Sequence, residues 1–317
     1  MLHILAITAP IYLIIAAGYL SGRFGMFSKP DMRVLGRFVI HFCLPAMIFN
    51  ALSKRPLAEV LNGTYLLAYA GGSLAVITLA MLVGRRLRGQ STPMATMQSL
   101  GMAASNSGFV GFPIVLQLLG PTAGVALALT MLVENLLVLP LCFAMADNGG
   151  QNAAQRWHHT LWISLRNLLK NPMVLAILAG FSFSMLDLHL PAVLAQTIQI
   201  VATASSPVAL FVIGGSLVGL KLDGVRRDLA WVAMGKLILH PLAVFVCLWL
   251  LPPIAPELRV AAVLFAAMPM LSIYPVVAQK YGLEGFTAAA LLVTTVASFF
   301  STSALLWAMQ HWLGWTA

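Results

Sequence analysis

Charged side chains are scarce in this sequence. Only 9% of the 317 residues are Asp, Glu, Lys or Arg, whereas 60% are hydrophobic. A soluble globular domain usually carries about 25% charged residues, so this chain has too little polar surface to be one. Lipid is therefore expected to be its main solvent. The net charge of +9 does not indicate a nucleic-acid partner, because the basic residues fall almost entirely between apolar segments.

Cysteines and enzyme motifs are lacking as well. The three cysteines, Cys43, Cys142 and Cys247, lie inside apolar stretches and are interpreted as small buried hydrophobic residues, not as a disulfide or metal site. There is no His-Glu-x-x-His or Gly-x-Ser-Gly motif, and the five aspartates fall in or near predicted loops. An intramembrane enzyme is therefore not expected, and neither is a metal or an organic cofactor.

Long apolar runs are what the sequence does contain. A bilayer core of about 30 Å requires roughly 20 apolar helical residues. Ten stretches meet this requirement, near residues 3–22, 34–53, 64–84, 93–119, 122–146, 167–187, 192–220, 228–251, 258–281 and 285–310. We therefore predict an all-α polytopic membrane protein with ten transmembrane helices.

A single polar segment, residues 147–166, is long enough to connect two halves. It separates a first five-helix repeat, residues 1–146, from a second one, residues 167–317. Of the 18 Lys and Arg residues, 14 lie on the side of the membrane that this linker shares, 3 lie on the other side, and Lys236 lies within a span. Because basic loops stay in the cytoplasm, the linker is predicted to be cytoplasmic and both termini to lie outside.

The two halves are related by a fixed offset of 162 residues. It pairs Pro10 with Pro172, Pro45 with Pro207, Pro113 with Pro275, Gly18 with Gly180 and Gly120 with Gly282. Because five is an odd number of spans, the second half must enter the membrane from the opposite side, so the repeat is inverted. Inverted repeats can exchange conformations and thereby give alternating access, which favours a transporter.

Two predicted spans contain residues that interrupt a helix. The fourth carries Asn106, Ser107, Gly108, Gly111 and Pro113, and the ninth carries Pro269, Ser272, Tyr274 and Pro275. Proline and glycine are common in membrane helices, but the coincidence of both groups at the repeat offset favours a functional site. Since unpaired backbone groups are costly in lipid, the breaks are expected to line a polar cavity. Amides that begin a half-helix carry partial positive charge, which predicts an anionic substrate.

At these positions the sequence resembles the auxin efflux carrier family of transporters. The resemblance rests on the Asn106-x-Gly108-x-x-Gly111-x-Pro113 segment and on the spans with Pro45, Pro207 and Pro275, and it covers essentially the whole chain. The Met268-to-Gly282 stretch is most similar to bacterial members associated with malonate and other small dicarboxylates. The short linker departs from the long cytoplasmic loop of many plant carriers.

The resemblance implies a specific architecture and setting. Two inverted five-helix repeats would have broken fourth and ninth helices that cross and frame the substrate site. The protein would lie in a bacterial inner membrane, with a homodimer as its expected assembly.

Few ionisable or amide side chains lie within the predicted spans, and such groups are more often functional than not. Glu134, next to Asn135, is a candidate for holding a proton or binding Na⁺, with a structural hydrogen bond between helices as the alternative. Lys236 is a candidate counter-charge for an anion or a proton-relay partner, with snorkelling to the headgroups as the alternative. Asn50, near Pro45, is a further candidate for contacting the substrate.

These features together predict a secondary active transporter. Its partners would be a small organic anion and the lipid bilayer, and its coupling ion would be H⁺ or Na⁺. A membrane sensor that binds an organic anion without transporting it stays open as the alternative. The offset of 162 residues takes Asn106 to Met268, Glu134 to Val296 and Lys236 to Leu74. The repeat is therefore expected to keep its symmetry in the scaffold and to lose it at the site.

Overall fold

A computed structural model describes residues 2–54, 62–147, 170–219 and 226–312. Within these ranges every regular element is helical, and the single contact of β type is an isolated bridge between Ser105 and Met270. The all-α prediction is therefore confirmed for the described residues. Apart from Asp147, the predicted linker 147–166 lies outside them.

In its described residues, the first half of the chain forms six helices. They are α1 (Leu2–Arg23), α2 (Lys29–Leu52), α3 (Gly63–Leu87), α4 (Thr92–Ala103), α5 (Ser107–Leu119) and α6 (Thr122–Asp147). Four of them contain one π-helical turn, at Val39–Cys43, Val83–Leu87, Ser107–Gly111 and Glu134–Val138. Such turns widen a helix locally and are frequent at functional sites.

The second half also forms six helices in its described residues. They are α7 (Pro172–Met185), α8 (Ala192–Ser216), α9 (Arg226–Leu250), α10 (Pro256–Ala267), α11 (Tyr274–Ala278) and α12 (Glu284–Trp312). A π-helical turn, Gly235–Leu239, lies within α9. By length and composition, α2, α3, α6, α8, α9 and α12 can cross a membrane, and α5 and α7 are shorter apolar helices. The count of ten crossings stays a prediction.

Local sequence explains where these helices begin. At the start of α2, the Ser28 backbone N–H donates to the Asp31 carboxylate at 2.8 Å, and the Asp31 backbone N–H donates to the Ser28 hydroxyl, which forms a capping box. The Asn62 side chain accepts from the Tyr65 backbone N–H at 2.8 Å at the start of α3. Prolines occupy the first turns of α2, α4, α7 and α10, where a missing backbone donor costs nothing.

The helices pack in two groups that each draw on both halves of the sequence. In one group α1 lies against α8, and α2 lies against α7 and α8. In the other, α3 packs against α4 and α9, α6 against α4 and α10, and α9 against α10 and α12. Helix α5 contacts both groups through α8 and α6. The two halves are therefore intertwined rather than side by side.

Two close contacts between helices are related to each other by the repeat offset of 162 residues. A Cβ atom at Gly18 would collide with the Phe211 carbonyl, so glycine allows α1 to lie directly on α8. A Cβ atom at Gly180 would lie 2.8 Å from the Leu52 Cβ and 3.5 Å from the Phe49 Cα, so α7 lies directly on α2. Phe49 and Phe211 are separated by 162 residues, as are Gly18 and Gly180. The two contacts are therefore repeat mates of each other.

Candidate functional site

Both predicted helix interruptions are present. Helix α4 ends at Ala103, Ala104 is extended with φ −95° and ψ 129°, and α5 begins at Ser107. Helix α10 ends at Ala267, Met268 is extended with φ −66° and ψ 155°, and the chain becomes helical again at Tyr274. We call residues 104–106 the first break and residues 268–273 the second break.

The two breaks lie against each other and share their backbone hydrogen bonds. Ser105 and Met270 form an antiparallel bridge, and the Asn106 N–H donates to the Pro269 carbonyl at 2.8 Å. The Asn106 side-chain amide also donates to the Ser272 hydroxyl at 2.7 Å. Each break thus supplies partners for backbone groups that the other leaves outside a helix, which meets the demand that a low-dielectric interior makes.

The two prolines lie differently with respect to the helices. Pro275 stands in the first turn of α11, directly after the second break, whereas Pro113 lies inside α5, directly after its π-helical turn. The first break was predicted across Asn106–Pro113, and the extended residues lie at the amino end of that segment. A proline in the first turn of a helix loses no intrahelical hydrogen bond, and the π-helical turn before Pro113 alters the hydrogen-bond pattern where its backbone lacks a donor.

Glu134 projects from the π-helical turn of α6 to the first break. Its Oε1 atom accepts from the Ser105 backbone N–H at 3.0 Å and from the Tyr69 hydroxyl at 3.1 Å. The Ser107 hydroxyl lies 3.1 Å from both carboxylate oxygens and donates to them. The carboxylate is 6% exposed and lies at the amino end of α5, where backbone dipoles favour negative charge. A side chain of the protein thus occupies the place predicted for a substrate carboxylate.

Lys236 reaches the same break from the π-helical turn of α9. Its side chain is fully buried, and Nζ donates to the Ser105 hydroxyl at 2.5 Å. Nζ also lies 2.9 Å from His240 Nδ1, while His240 Nε2 lies 3.0 Å from the Ser73 hydroxyl. The snorkelling alternative is therefore wrong, because the ammonium group points into the protein and away from any headgroup.

In the described part of the chain, Glu134 and Lys236 form no direct ion pair with each other. Ser105 lies between them, since its backbone N–H binds the carboxylate and its hydroxyl accepts from the ammonium. The Tyr69 hydroxyl lies 3.2 Å from the Ser105 hydroxyl and also donates to Glu134, so these contacts form a ring. We call these four residues the charge cluster: Glu134, Ser105, Tyr69 and Lys236. It places one cation and one anion in the interior, where an unbalanced charge would be costly.

The predicted glycines allow α5 to approach its neighbours closely. A Cβ atom at Gly108 would lie 3.0 Å from the Leu44 side chain of α2, and one at Gly111 would lie 2.8 Å from the Phe265 side chain of α10. Tyr274 is buried, and its hydroxyl donates to the Met97 carbonyl of α4 at 2.6 Å. These residues hold the helices around the breaks together, and a direct contact of theirs with substrate stays a prediction.

Two predicted amide residues have partners away from the breaks. The Asn50 side chain donates to Gln199 at 2.6 Å, at a cleft of about 460 Å³ between α2, α5, α6 and α8. The Asn135 side chain donates to the Met131 carbonyl at 2.8 Å and lies 3.5 Å from the Asn171 side chain near the start of α7. Asn135 therefore lies outside the charge cluster despite being next to Glu134 in sequence.

Sequence reasoning missed Tyr69, Ser73, Ser105 and His240. His240 follows Lys236 by four residues, a spacing that places both side chains on one face of a helix, and this signal was readable. Ser105 directly precedes Asn106 and was equally close to the predicted site. Tyr69 and Ser73 carried no signal, because neutral polar residues in an apolar span are usually interpreted as core residues that bond locally.

Comparisons with known proteins agree over nearly the full chain. A family model described as membrane transport protein matches residues 3–307. A Rhizobium meliloti protein named "Putative malonate transporter" is 29% identical over 311 residues, which cover 98% of this chain and 97% of that protein. The uncharacterized transporter YfdV of Escherichia coli is 23% identical over 308 residues, or 93% of this chain and 94% of YfdV.

A mouse relative shares only part of its length with this chain. The mouse lysosomal cholesterol signaling protein is 26% identical over 244 residues, which are 73% of this chain and 27% of that protein.

Proposed function

The chain belongs to the membrane transport protein family, to which the auxin efflux carriers belong, and from this premise we propose a secondary active transporter of a small organic anion. Family membership and the long apolar helices make it a multi-pass membrane protein with a small-molecule substrate and a lipid environment. A transporter of this kind needs no catalytic residue, which agrees with the absence of enzyme motifs from the sequence.

The meeting of two helix breaks beside a buried cation is the observation that carries the proposal. An anion that enters the membrane interior needs donors and a counter-charge. The first break offers the Ser107 hydroxyl, the Asn106 amide and the amino end of α5, and Lys236 supplies a positive charge within hydrogen-bond distance of Ser105. The substrate site is accordingly proposed between the first and second breaks, with Gly108, Gly111, Pro113 and Pro275 shaping its walls.

Malonate or a related small dicarboxylate is the proposed substrate. The name of the Rhizobium meliloti relative supports this choice, since that protein matches 98% of the chain. Two carboxylates suit a site that combines a helix amino end with a separate ammonium group, because one carboxylate can bind the helix amino end and the other can bind the ammonium group.

Alternating access between two inverted five-helix repeats is the proposed mechanism. The reciprocal approaches of Gly18 to Phe211 and of Gly180 to Phe49 support it, because a two-fold relation between the halves requires such paired contacts. The ten crossings, the boundary at residues 147–166 and the placement of both termini outside a bacterial inner membrane belong to the same proposal. Either H⁺ or Na⁺ is the proposed coupling ion, with Glu134 and Lys236 as the residues that would respond to it.

Counterflow of radiolabelled malonate and malate in proteoliposomes tests the transport function. Purified protein is expected to exchange external labelled malonate for internal unlabelled malonate, and a pH or Na⁺ gradient is expected to drive net accumulation. Empty liposomes provide the background. Binding of malonate without any counterflow would contradict a transporter and favour a sensor that binds the anion.

Cysteine labelling tests the proposed orientation. In a variant whose three native cysteines are replaced, Lys54→Cys should react with a membrane-impermeant maleimide from outside, and Arg86→Cys should react only after the cells are opened. Both positions are exposed, so accessibility depends on the side of the membrane. Labelling of both from the same side would contradict the ten-span topology.

A further inference from the structure

The hydrogen-bond partners of Glu134 are all donors in the described part of the chain. They are the Ser105 backbone N–H and the hydroxyls of Tyr69 and Ser107. A Na⁺ site requires several oxygen atoms with free lone pairs directed at the ion, and a backbone N–H cannot serve as a ligand. The surroundings of Glu134 therefore suit a carboxylate that accepts hydrogen bonds and do not suit a metal cation.

The same donors are the ones that a carboxylate of the substrate would need. Ser105 lies in the first break and Ser107 follows it at the amino end of α5, and both are less than 5% exposed. Because Glu134 already uses both residues, a substrate carboxylate can take them only when Glu134 gives them up. The two carboxylates therefore compete for one set of donors.

Charge balance shows how Glu134 can give them up. Lys236 and Glu134 contribute one positive and one negative charge to the interior, and the Tyr65, Tyr69 and His240 side chains are the other titratable groups around them. An added substrate carboxylate would leave a net negative charge in a region that excludes water, which is strongly unfavourable. A proton on Glu134 removes one of the negative charges and weakens Glu134 as a hydrogen-bond acceptor.

A continuous chain of polar atoms connects the two ionisable groups. It runs from Lys236 Nζ to the Ser105 hydroxyl at 2.5 Å, on to the Tyr69 hydroxyl at 3.2 Å and then to Glu134 Oε1 at 3.1 Å. Each hydroxyl can accept one hydrogen bond and donate the next. A change of protonation at Glu134 is therefore communicated to Lys236, which would face the substrate.

We infer that the Glu134 carboxylate is a built-in substitute for one carboxylate of the substrate, and that H⁺ uptake by Glu134 exchanges the two; this rests on the proposed transport function. The proton is taken from the aqueous phase in the conformation of the transport cycle that exposes the site, and it forms one O–H bond with a carboxylate oxygen. The Ser105 N–H and the Ser107 hydroxyl then turn to the substrate carboxylate. With Glu134 neutral, Lys236 and a fully ionised malonate leave one net negative charge in place of two, so one proton is expected to move with each substrate.

Calorimetry of malonate binding counts that proton. Binding by the purified full-length protein is measured in two buffers of different ionisation enthalpy, at a pH where free malonate is fully ionised. Wild type is expected to take up about one proton per bound malonate, since a single carboxylate changes state. Glu134→Gln is expected to bind malonate with almost no proton uptake, because its amide cannot ionise. Glu257→Gln, which changes an exposed glutamate at the start of α10, is the matched control and should behave as wild type.

Flux measurements separate the coupling ions. With the membrane voltage held at zero, a gradient of one pH unit should drive about tenfold accumulation of malonate if one proton moves with it. Glu134→Gln should lose this accumulation, whereas the control Glu257→Gln should keep it. An equal Na⁺ gradient at constant pH should drive none in either protein.

Several outcomes would overturn the inference. Wild type that binds malonate without proton uptake, or that accumulates it in response to Na⁺ alone, would contradict it and leave the transport function standing. If Glu134→Gln does not fold, the proton count of wild type decides by itself. Absence of both binding and counterflow for malonate and malate would instead remove the proposed function on which the inference rests.

Discussion

The two helix breaks occupy corresponding places in the two halves, yet their side chains differ. The first break and its flanking residue offer hydroxyl and amide groups from Ser105, Asn106 and Ser107, all of them buried. The second offers mainly backbone and apolar groups around Met268 and Met270, with the Ser272 hydroxyl as a partner for Asn106. The first break thus supplies the polar side chains, and the second break supplies an apolar surface and a backbone hydrogen-bond partner.

Away from the breaks the halves are alike. The contact of Gly18 with Phe211 and the contact of Gly180 with Phe49 are repeat mates, and a Cβ atom would collide with the Phe211 carbonyl at Gly18 and with the Leu52 side chain at Gly180. Packing between helices can be shared by two related halves, because each contact has the same shape. The charge cluster is not shared in this way, since the offset of 162 residues takes Glu134 to Val296 and Lys236 to Leu74.

Loss of the Lys236 charge should have the largest effect and would test this contrast most severely. Lys236→Met removes the cation of the charge cluster and leaves the buried Glu134 without a counter-charge. We expect malonate counterflow to fall to background, and the free energy of unfolding in detergent to fall by about 3–5 kcal/mol. Thermal unfolding of the purified protein, monitored by size-exclusion chromatography of heated samples, measures the loss of stability.

The double variant Lys236→Met with Glu134→Gln is the matched control. Removing both charges leaves no unbalanced ion, so most of the lost stability should return while transport stays absent. Equal destabilisation of the single and double variants would show that Lys236 acts through packing and not through its charge.

The hydrogen bond between the two breaks should matter next. Asn106→Ala removes the 2.7 Å contact with Ser272, and we expect about a fivefold loss of counterflow rate, because a bond to a buried group contributes roughly 1 kcal/mol. Ser272→Ala removes the same bond from the other side. If the bond itself is what matters, the double variant should be no slower than Asn106→Ala; additive losses would show that Asn106 has a separate role at the substrate.

The sequence allowed more of the backbone to be predicted than of the site. Proline and glycine restrict the chain locally, so both breaks could be expected from residues such as Gly108 and Pro275. Tyr69 and Ser105 could not be recognised as partners of Glu134, because their contact depends on how α3, α4 and α6 pack across 65 and 29 residues of sequence. The same holds for Asn50, whose bond to Gln199 joins residues 149 positions apart, and its contact with the substrate stays a prediction.

The paired glycines should show equal effects if the halves are related by two-fold symmetry. Gly18→Ala and Gly180→Ala each introduce a methyl group into a close helix contact, so we expect each to lower the free energy of unfolding by about 1–3 kcal/mol. Gly63→Ala is the control, because nothing lies within 4 Å of its added Cβ atom. Malonate affinity of the folded fraction should be unchanged in all three. A large loss for only one of Gly18→Ala and Gly180→Ala would break the proposed correspondence.

The smallest effects should come from two ion pairs that join helices of the two halves. Arg88, directly after α3, contacts Asp228 of α9 at 2.7 Å, and Lys280, two residues after α11, contacts Asp147 of α6 at 2.6 Å. The Arg88 pair is about one-fifth exposed on both sides and has the Trp231 ring 5.2 Å away, whereas the Lys280 side chain is 64% exposed.

Exposed pairs gain little because water and salt screen them, so Arg88→Gln should cost about 1 kcal/mol and Lys280→Gln less than about 0.5 kcal/mol. Thermal unfolding at low and high salt measures both, and raising the salt should shrink the Arg88 effect. If either substitution abolished counterflow while the protein stayed folded, the charges at these helix ends would belong to the transport cycle, and the contrast between scaffold and site would not hold.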